Sequence, residues 1–163
     1  MGRTYELIYP KKAAAKKVLE ETAAAKLEEV RKFRKHARLV TDDWLNMLVF
    51  GDNLGVLKAF MTDPQIKGKV DLIYIDPPFA TKQEFRAGKE RVATISAGLE
   101  DEIAYEDILT GADFLEFIRK RLIFLRELLS AQGSIYLHID SKKGHYLKIL
   151  MDEVFGEEHF IND

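Results

Sequence analysis

Four consecutive residues, Asp76-Pro77-Pro78-Phe79, follow the apolar run VDLIYI. The two prolines have fixed φ and no N–H. The first of them holds Asp76 extended. A strand ending this way presents a stiff bracket: one carboxylate, free backbone carbonyls and one aromatic ring. Such a set suits a flat substrate that carries an amino group. The ring stacks on the plane, while the carboxylate and a carbonyl accept the two N–H bonds of the amine. A nucleobase with an exocyclic amine meets that description. The competing reading is an ordinary strand-to-loop turn, in which Asp-Pro is common.

The elements around the bracket follow from hydrophobic spacing. NMLVF (residues 46–50) reads as a short strand ending at Gly51-Asp52-Asn53. Leu54, Leu57, Phe60 and Met61 then recur at helical spacing, with Asp52 or Asn53 available as the cap. VDLIYI is a continuous apolar run, the pattern of a strand covered on both faces. Residues 80–109 read as a long irregular segment, a length that is usually functional or mobile. TGADFLEFIRKRLIFLRELLS carries a helical stripe (Leu115, Ile118, Leu122, Leu125, Leu129), a Thr110–Asp113 capping box and Gly133 as its terminator. SIYLHI is a further strand and SKKGHYLKILMDEVFG a further amphipathic helix.

Alternation of this kind specifies an α/β fold with a parallel sheet. Ligands bind such sheets beyond the carboxyl ends of the strands. All three expected strands end there in polar residues: Asp52-Asn53, Asp76 and His138-Ile139-Asp140. For His138 and Asp140 the ordinary readings, a satisfied structural histidine and a helix N-cap, outweigh a catalytic one.

The chain has 163 residues, 47% hydrophobic and 32% charged, with no cysteine. A disulfide framework and a thiolate metal site are thereby excluded, and no metal site is expected. No apolar run reaches membrane-spanning length and the N-terminus lacks a signal-peptide core, so a cytoplasmic location is expected. Charge is uneven. Residues 1–40 hold eleven Lys/Arg against five Asp/Glu, whereas the chain as a whole is at −2. The excess peaks in RKFRKHAR, where Arg31, Lys32, Arg34 and Lys35 form a candidate phosphate-binding patch. A solvated helix face is the commoner meaning of such a run. Residues 1–44, rich in Ala, Lys and Glu, read as a helical arm outside the main core, and residues 45–163 as a second unit carrying the bracket.

DPPF after an apolar strand resembles the catalytic motif of amino-methyltransferases that use S-adenosylmethionine. The leading Asp is similar to that of adenine-specific DNA enzymes. Together with LVFGDNLGVLKAF, FLEFIRKRLIFLRELLSAQGSIYLHID and LKILMDEVFGEEHFIND, it resembles the N-terminal half of β-class DNA adenine-N6 methyltransferases. The modification subunits of type III restriction systems and their orphan relatives are the nearest likeness. The resemblance covers about residues 45–163. It implies the Rossmann-like parallel sheet of S-adenosylmethionine-dependent methyltransferases, here incomplete, with the helical arm in front. It also implies that Asp76 and the Pro77 carbonyl accept the adenine amine, that Pro78 stiffens the bracket and that Phe79 stacks on the flipped base. Asp52, with Asn53 beside it, matches the acid that contacts the adenosine of the cofactor.

The glycine-rich cofactor loop of this class lies C-terminal to the catalytic motif, and no G-x-G occurs in the 163 residues. The resemblance therefore implies double-stranded DNA as substrate, a second polypeptide or C-terminal half as partner, and in a restriction system a nuclease subunit. The missing half is expected to cover a face or an edge of the sheet. Two other readings stay open: a non-catalytic DNA-binding or assembly subunit that retains the fold, and an RNA or small-molecule amino-methyltransferase.

Overall fold

The structure, a computed structural model, describes residues 5–32, 46–77, 84–88, 91–93, 102–106 and 111–163. In chain order the elements are α1 (Ala15–Glu21), α2 (Asn53–Phe60), β1 (Val70–Ile75), β2 (Glu84–Gly88), β3 (Arg91–Ala93), β4 (Glu102–Glu106), α3 (Gly111–Leu128), β5 (Leu129–Leu137), α4 (Ser141–Phe155) and a 3-10 turn (Glu157–His159).

The expected α/β architecture is present. β1 and β5 pair in parallel, with Leu72 opposite Ser134, Tyr74 opposite Tyr136 and Ile75 opposite Leu137. The core lies on one side of this pair. Phe114, Ile118, Leu122, Ile123 and Phe124 of α3 meet Leu147, Leu150 and Val154 of α4 there, joined by Val18 of α1. Ile75, Ile135 and Leu137 supply the strand contribution, and Leu54, Leu57 and Met61 that of α2. The α3 stripe buries because its apolar residues recur every three to four positions. Each fully buried Leu or Phe contributes roughly 1.5–3 kcal/mol, and Leu122, Phe124 and Leu150 are completely enclosed.

Five expectations change. Residues 46–50 form no strand. A strand exists only when another backbone completes its ladder, and none does so here among the described residues. Leu48 and Phe50 are consequently fully exposed. β1 is covered on one face rather than two, because the helices that pack on the pair share the Ile75 side; Leu72 is 63% and Tyr74 66% exposed. The segment expected to be irregular contains a three-stranded antiparallel sheet of order β3-β2-β4.

Gly133 does not terminate α3, which ends at Leu128 and passes directly into β5. A Cβ at Gly133 would lie 2.7 Å from the Val70 carbonyl oxygen and from Leu129. The glycine serves the close approach of β1 where the register shifts between Val70 and Leu72. Finally, the N-terminal helix is only seven residues long. Residues 23–32 are non-helical, and Val18 belongs to the core rather than lying outside it. Thr110, expected in the capping box, lies outside the described residues.

Candidate functional site

The tip of β1 is where the bracket begins. Asp76 is exposed and Pro77 is buried. No hydrogen bond or ion pair among the described residues engages the Asp76 carboxylate. The ladder runs one step past the strands: the His138 N–H donates to the Ile75 carbonyl at 2.8 Å. That bond puts the chain just after Ile75 beside the chain just after Leu137. Strand alternation places Leu72 and Tyr74 on the uncovered face, opposite Ser134 and Tyr136. Asp76, held extended by Pro77, and His138 continue those two rows. The result is an open strip with two tyrosines and, at its upper end, a carboxylate and an imidazole. Pro78 and Phe79 lie outside the described residues.

Asp140 serves α4. Its side chain accepts from the Lys143 N–H at 3.1 Å and so caps the helix, the ordinary role expected for it. Gly156 ends α4 with φ of +97°, a conformation that favours glycine.

Asp52 and Asn53 do not stand on a strand tip, since the preceding strand is absent. They open α2. Asp52 is its N-cap, accepting from the Leu54 N–H at 3.1 Å. A second tie comes from α3: Arg121 donates from Nε to Asn53 Oδ1 at 2.6 Å and from NH2 to Asp52 Oδ1 at 3.1 Å. Its remaining nitrogen donates to the Phe117 carbonyl at 2.9 Å. The guanidinium carbon lies 3.4 Å from the centre of the Phe117 ring, a cation–π stack one helical turn away. Burial lowers the Arg121 pKa, and the Asp52 charge opposes that shift. Sequence reasoning missed Arg121. Its only signal was a cationic residue four positions after a phenylalanine on an apolar helix.

The turn leaves hydrogen-bonding groups open to solvent. One Asp52 oxygen is committed to Arg121 and the N-cap bond, while the other has no partner among the described residues and the side chain is 75% exposed. Asn53 turns its oxygen to Arg121, which leaves its amide N–H groups for other acceptors. One acceptor and one donor side by side can bind a sugar hydroxyl. A phosphate-type glycine cradle is not encoded in these residues.

Sequence reasoning also missed a buried ionic cluster that pins residues 5–13 across α3 and α4. Glu153 accepts from the Leu7 N–H at 2.6 Å and from Lys12 at 2.8 Å. Glu116 accepts from the Tyr9 hydroxyl at 2.7 Å and the Ala13 N–H at 3.2 Å. Arg119 donates to the Ala13 carbonyl at 2.8 Å. Burial first, and the bond to Glu116 second, push the Tyr9 hydroxyl above its ordinary pKa. A cavity of about 60 Å³ lies among α1, α3 and α4, lined in part by Leu19, Arg119, Ile123 and Glu153. It is far too small for a nucleoside. Arg119 Nε is buried without a partner among the described residues.

Of the basic patch, Arg31 and Lys32 are exposed and non-helical, and Lys32 lies 3.8 Å from Glu29. Arg34 and Lys35 lie outside the described residues. No group of three or more His, Cys, Asp or Glu side chains able to hold a metal occurs among the described residues. None of their helices is long and apolar enough to cross a membrane.

Known proteins resemble this chain over most of its length. The chain is 36% identical over 162 residues to the type II methyltransferase M.EcaI of Enterobacter cloacae, an alignment covering 99% of this chain and 32% of that protein. It is 38% identical over 129 residues to the type III restriction-modification enzyme EcoPI Mod subunit of Escherichia phage P1, covering 71% and 20% of the two chains. It is 34% identical over 117 residues to the probable type III restriction-modification enzyme HindVI Mod subunit of Haemophilus influenzae, covering 72% and 13%. The chain thus spans about a third of the length of M.EcaI and a fifth or less of the two Mod subunits. The N6_N4_Mtase family, described as DNA methylase, matches residues 70–163, which include β1, the Asp76 tip, α3, β5 and α4. The chain belongs to this DNA methylase family.

Proposed function

We propose that the chain carries the catalytic motif of a site-specific DNA adenine-N6 methyltransferase acting in a restriction-modification or orphan system. One observation carries the reading most directly. Asp76 stands exposed at the carboxyl end of a parallel strand, where such sheets take their ligands, backed by a buried proline that has no N–H to compete for the substrate. The family description, DNA methylase, and relatives named as a type II methyltransferase and a type III restriction-modification Mod subunit support the same reading.

In this proposal S-adenosylmethionine supplies an electrophilic methyl group when bound. The residues of the chain prepare the amine. Asp76 and the Pro77 carbonyl would accept hydrogen bonds from its two N–H groups, which would aim the nitrogen lone pair away from the strand tip. Phe79 takes the extruded base by stacking, worth about 1–3 kcal/mol, against the few kcal/mol that flipping costs. The amine would attack the methyl carbon as its bond to sulfur breaks, a thioether would leave, and the surplus proton would pass afterwards to Asp76 or water, so orientation in a dry pocket matters more than a strong base. Asp52 and Asn53 take the nucleoside of the cofactor, and Arg31, Lys32, Arg34 and Lys35 take DNA phosphates.

The proposal includes a division near residue 45 and a partner. The M.EcaI alignment covers the N-terminal segment, whereas those with the Mod subunits cover about 72% of the chain. Parallel sheets are normally covered on both faces, and here Leu72, Tyr74 and Tyr136 are 63%, 66% and 55% exposed. A further polypeptide segment, in cis or in trans, would cover that face, pair with residues 46–50 and bring the rest of the cofactor site. In a type III setting the partner would include a nuclease subunit.

The test is methyl transfer from labelled S-adenosylmethionine to duplex DNA. The chain is assayed with and without a co-expressed polypeptide corresponding to the remaining length of M.EcaI. Transfer to adenine N6 that Asp76→Ala abolishes is the expected result. Transfer unaffected by Asp76→Ala overturns the assignment of the bracket, and transfer to RNA alone overturns the substrate.

A further inference from the structure

Arg121 has no part in the bracket, yet it is the residue that ties α3 to the Asp52–Asn53 turn. Its three nitrogens are all committed: one to its own helix, one to Asn53 and one to Asp52. Its planar group is also fixed by the Phe117 ring. The contrast in exposure is informative, with 13% for the Arg121 side chain against 75% for that of Asp52. The arginine therefore approaches the turn from beneath and leaves its outer edge accessible. Because a guanidinium only donates, it can take only the oxygen of Asn53, so the amide N–H groups must face elsewhere. It also takes one Asp52 oxygen and leaves the other.

No strand precedes this turn among the described residues. The Asp52 and Asn53 side chains are held by the α2 cap and by Arg121, a contact 68 and 69 positions away in sequence, while the α2 backbone is also tied through Gly55 to Ala25. Lysine cannot replace this arrangement, since a compact ammonium lacks the fixed fork that reaches two acceptors while stacked.

We infer that Arg121 is a positioning residue that holds the free Asp52 oxygen and the Asn53 amide as a paired acceptor and donor for the nucleoside hydroxyl groups of the cofactor. The inference rests on the reading of Asp52 and Asn53 as cofactor contacts. It adds the residue that orients them and the reason one face of the turn stays open.

The experiment measures S-adenosylmethionine affinity by calorimetry in the preparation that transfers methyl groups in the assay above. Duplex-DNA affinity and melting midpoint are followed alongside. Arg121→Met keeps the stem over Phe117 and removes the fork; Arg121→Lys keeps the charge and removes the fork. Both are expected to weaken S-adenosylmethionine binding about tenfold, or ~1.4 kcal/mol, with DNA affinity within about twofold. Asp52→Ala is expected to weaken it comparably, and the double variant no further, because neighbours acting as one unit are non-additive.

Unchanged cofactor affinity in both Arg121 variants, with Asp52→Ala still impaired, overturns the role of Arg121 while leaving the turn as the cofactor contact. Unchanged affinity in Asp52→Ala overturns the reading of the turn itself. A lowered melting midpoint with parental cofactor affinity, measured where the variants are folded, assigns Arg121 to stability alone and overturns the inference.

Discussion

The two faces of the β1–β5 pair differ in almost every physical respect. On the helical face Leu122, Phe124 and Leu150 are fully enclosed, and even the charges there are paired: Lys12 with Glu153, Arg119 with Glu116. On the other face two tyrosines and a leucine stand in solvent, and the strip runs up to Asp76 and His138. A sheet buried on one side only separates two tasks. The covered face supplies the stability of these residues, and the open face ends at the rim where the proposed chemistry would take place. Substitutions on the two faces should therefore move different observables.

The largest effect is expected at the centre of the covered face. Leu122→Ala removes a fully buried side chain from between α3 and its neighbours and should destabilise by about 2–5 kcal/mol, read as a fall in the urea midpoint. A loss under 1 kcal/mol would mean that this face does not supply the stability. Glu153→Ala comes next. It leaves the Leu7 N–H without its acceptor and removes one of two carboxylates from Lys12, which keeps Glu6 and the Leu7 carbonyl; the expected cost is about 1–3 kcal/mol. Protease should then cut within the strap before it reaches α3.

The strap also has an alkaline limit. The folded-state pKa of Tyr9 is raised above the ordinary 10.0. Its stabilising contribution is therefore complete below about pH 10. As pH rises further, the unfolded tyrosine ionises while the folded one keeps its proton, and stability declines. The urea midpoint should fall as the pH is raised from about 10 to 12, and Tyr9→Phe should reduce that fall. An equal fall in both proteins would place the cause elsewhere.

On the open face the expected stability changes are small and the solution behaviour changes instead. Replacing Tyr74 and Tyr136 together by Ser should shift the midpoint little and reduce self-association in sedimentation, because an exposed apolar strip is what brings copies together. If association is unaffected, the strip is not the surface responsible. The smallest effect is expected at Asp76. Asp76→Ala should alter stability by less than about 0.5 kcal/mol, the usual size at an exposed position, while abolishing the transfer proposed above. A large stability loss would make Asp76 a structural residue and erase the contrast between the two faces.

The helices α3 and α4 were legible because their stripes recur every three to four residues over long spans. The caps at Asp52 and Asp140 and the stop at Gly156 followed from local chemistry in the same way. The strand tip at Asp76 was legible because an acid and two prolines after an apolar run restrict the backbone whatever surrounds it. Residues 46–50 misled because β-pattern states a preference that only a neighbouring strand can satisfy. VDLIYI misled for a related reason: an apolar run says that both faces can be buried, not that both are. Gly133 read as a helix stop, although its reason for being glycine is a carbonyl 63 positions earlier, on another strand.

By itself, then, the sequence determined what depends on nearest neighbours along the chain: helical periods, caps, the proline-stiffened tip and the family resemblance those blocks carry. Tertiary structure decided what depends on contacts across many tens of residues. It buried Glu116, Arg119 and Glu153 with partners from residues 5–13, left one sheet face bare, and set Arg121 against Asp52 and Asn53. Charge, burial and hydrogen-bond partners are properties of the assembled surroundings, and composition does not encode which distant backbone will arrive to complete them.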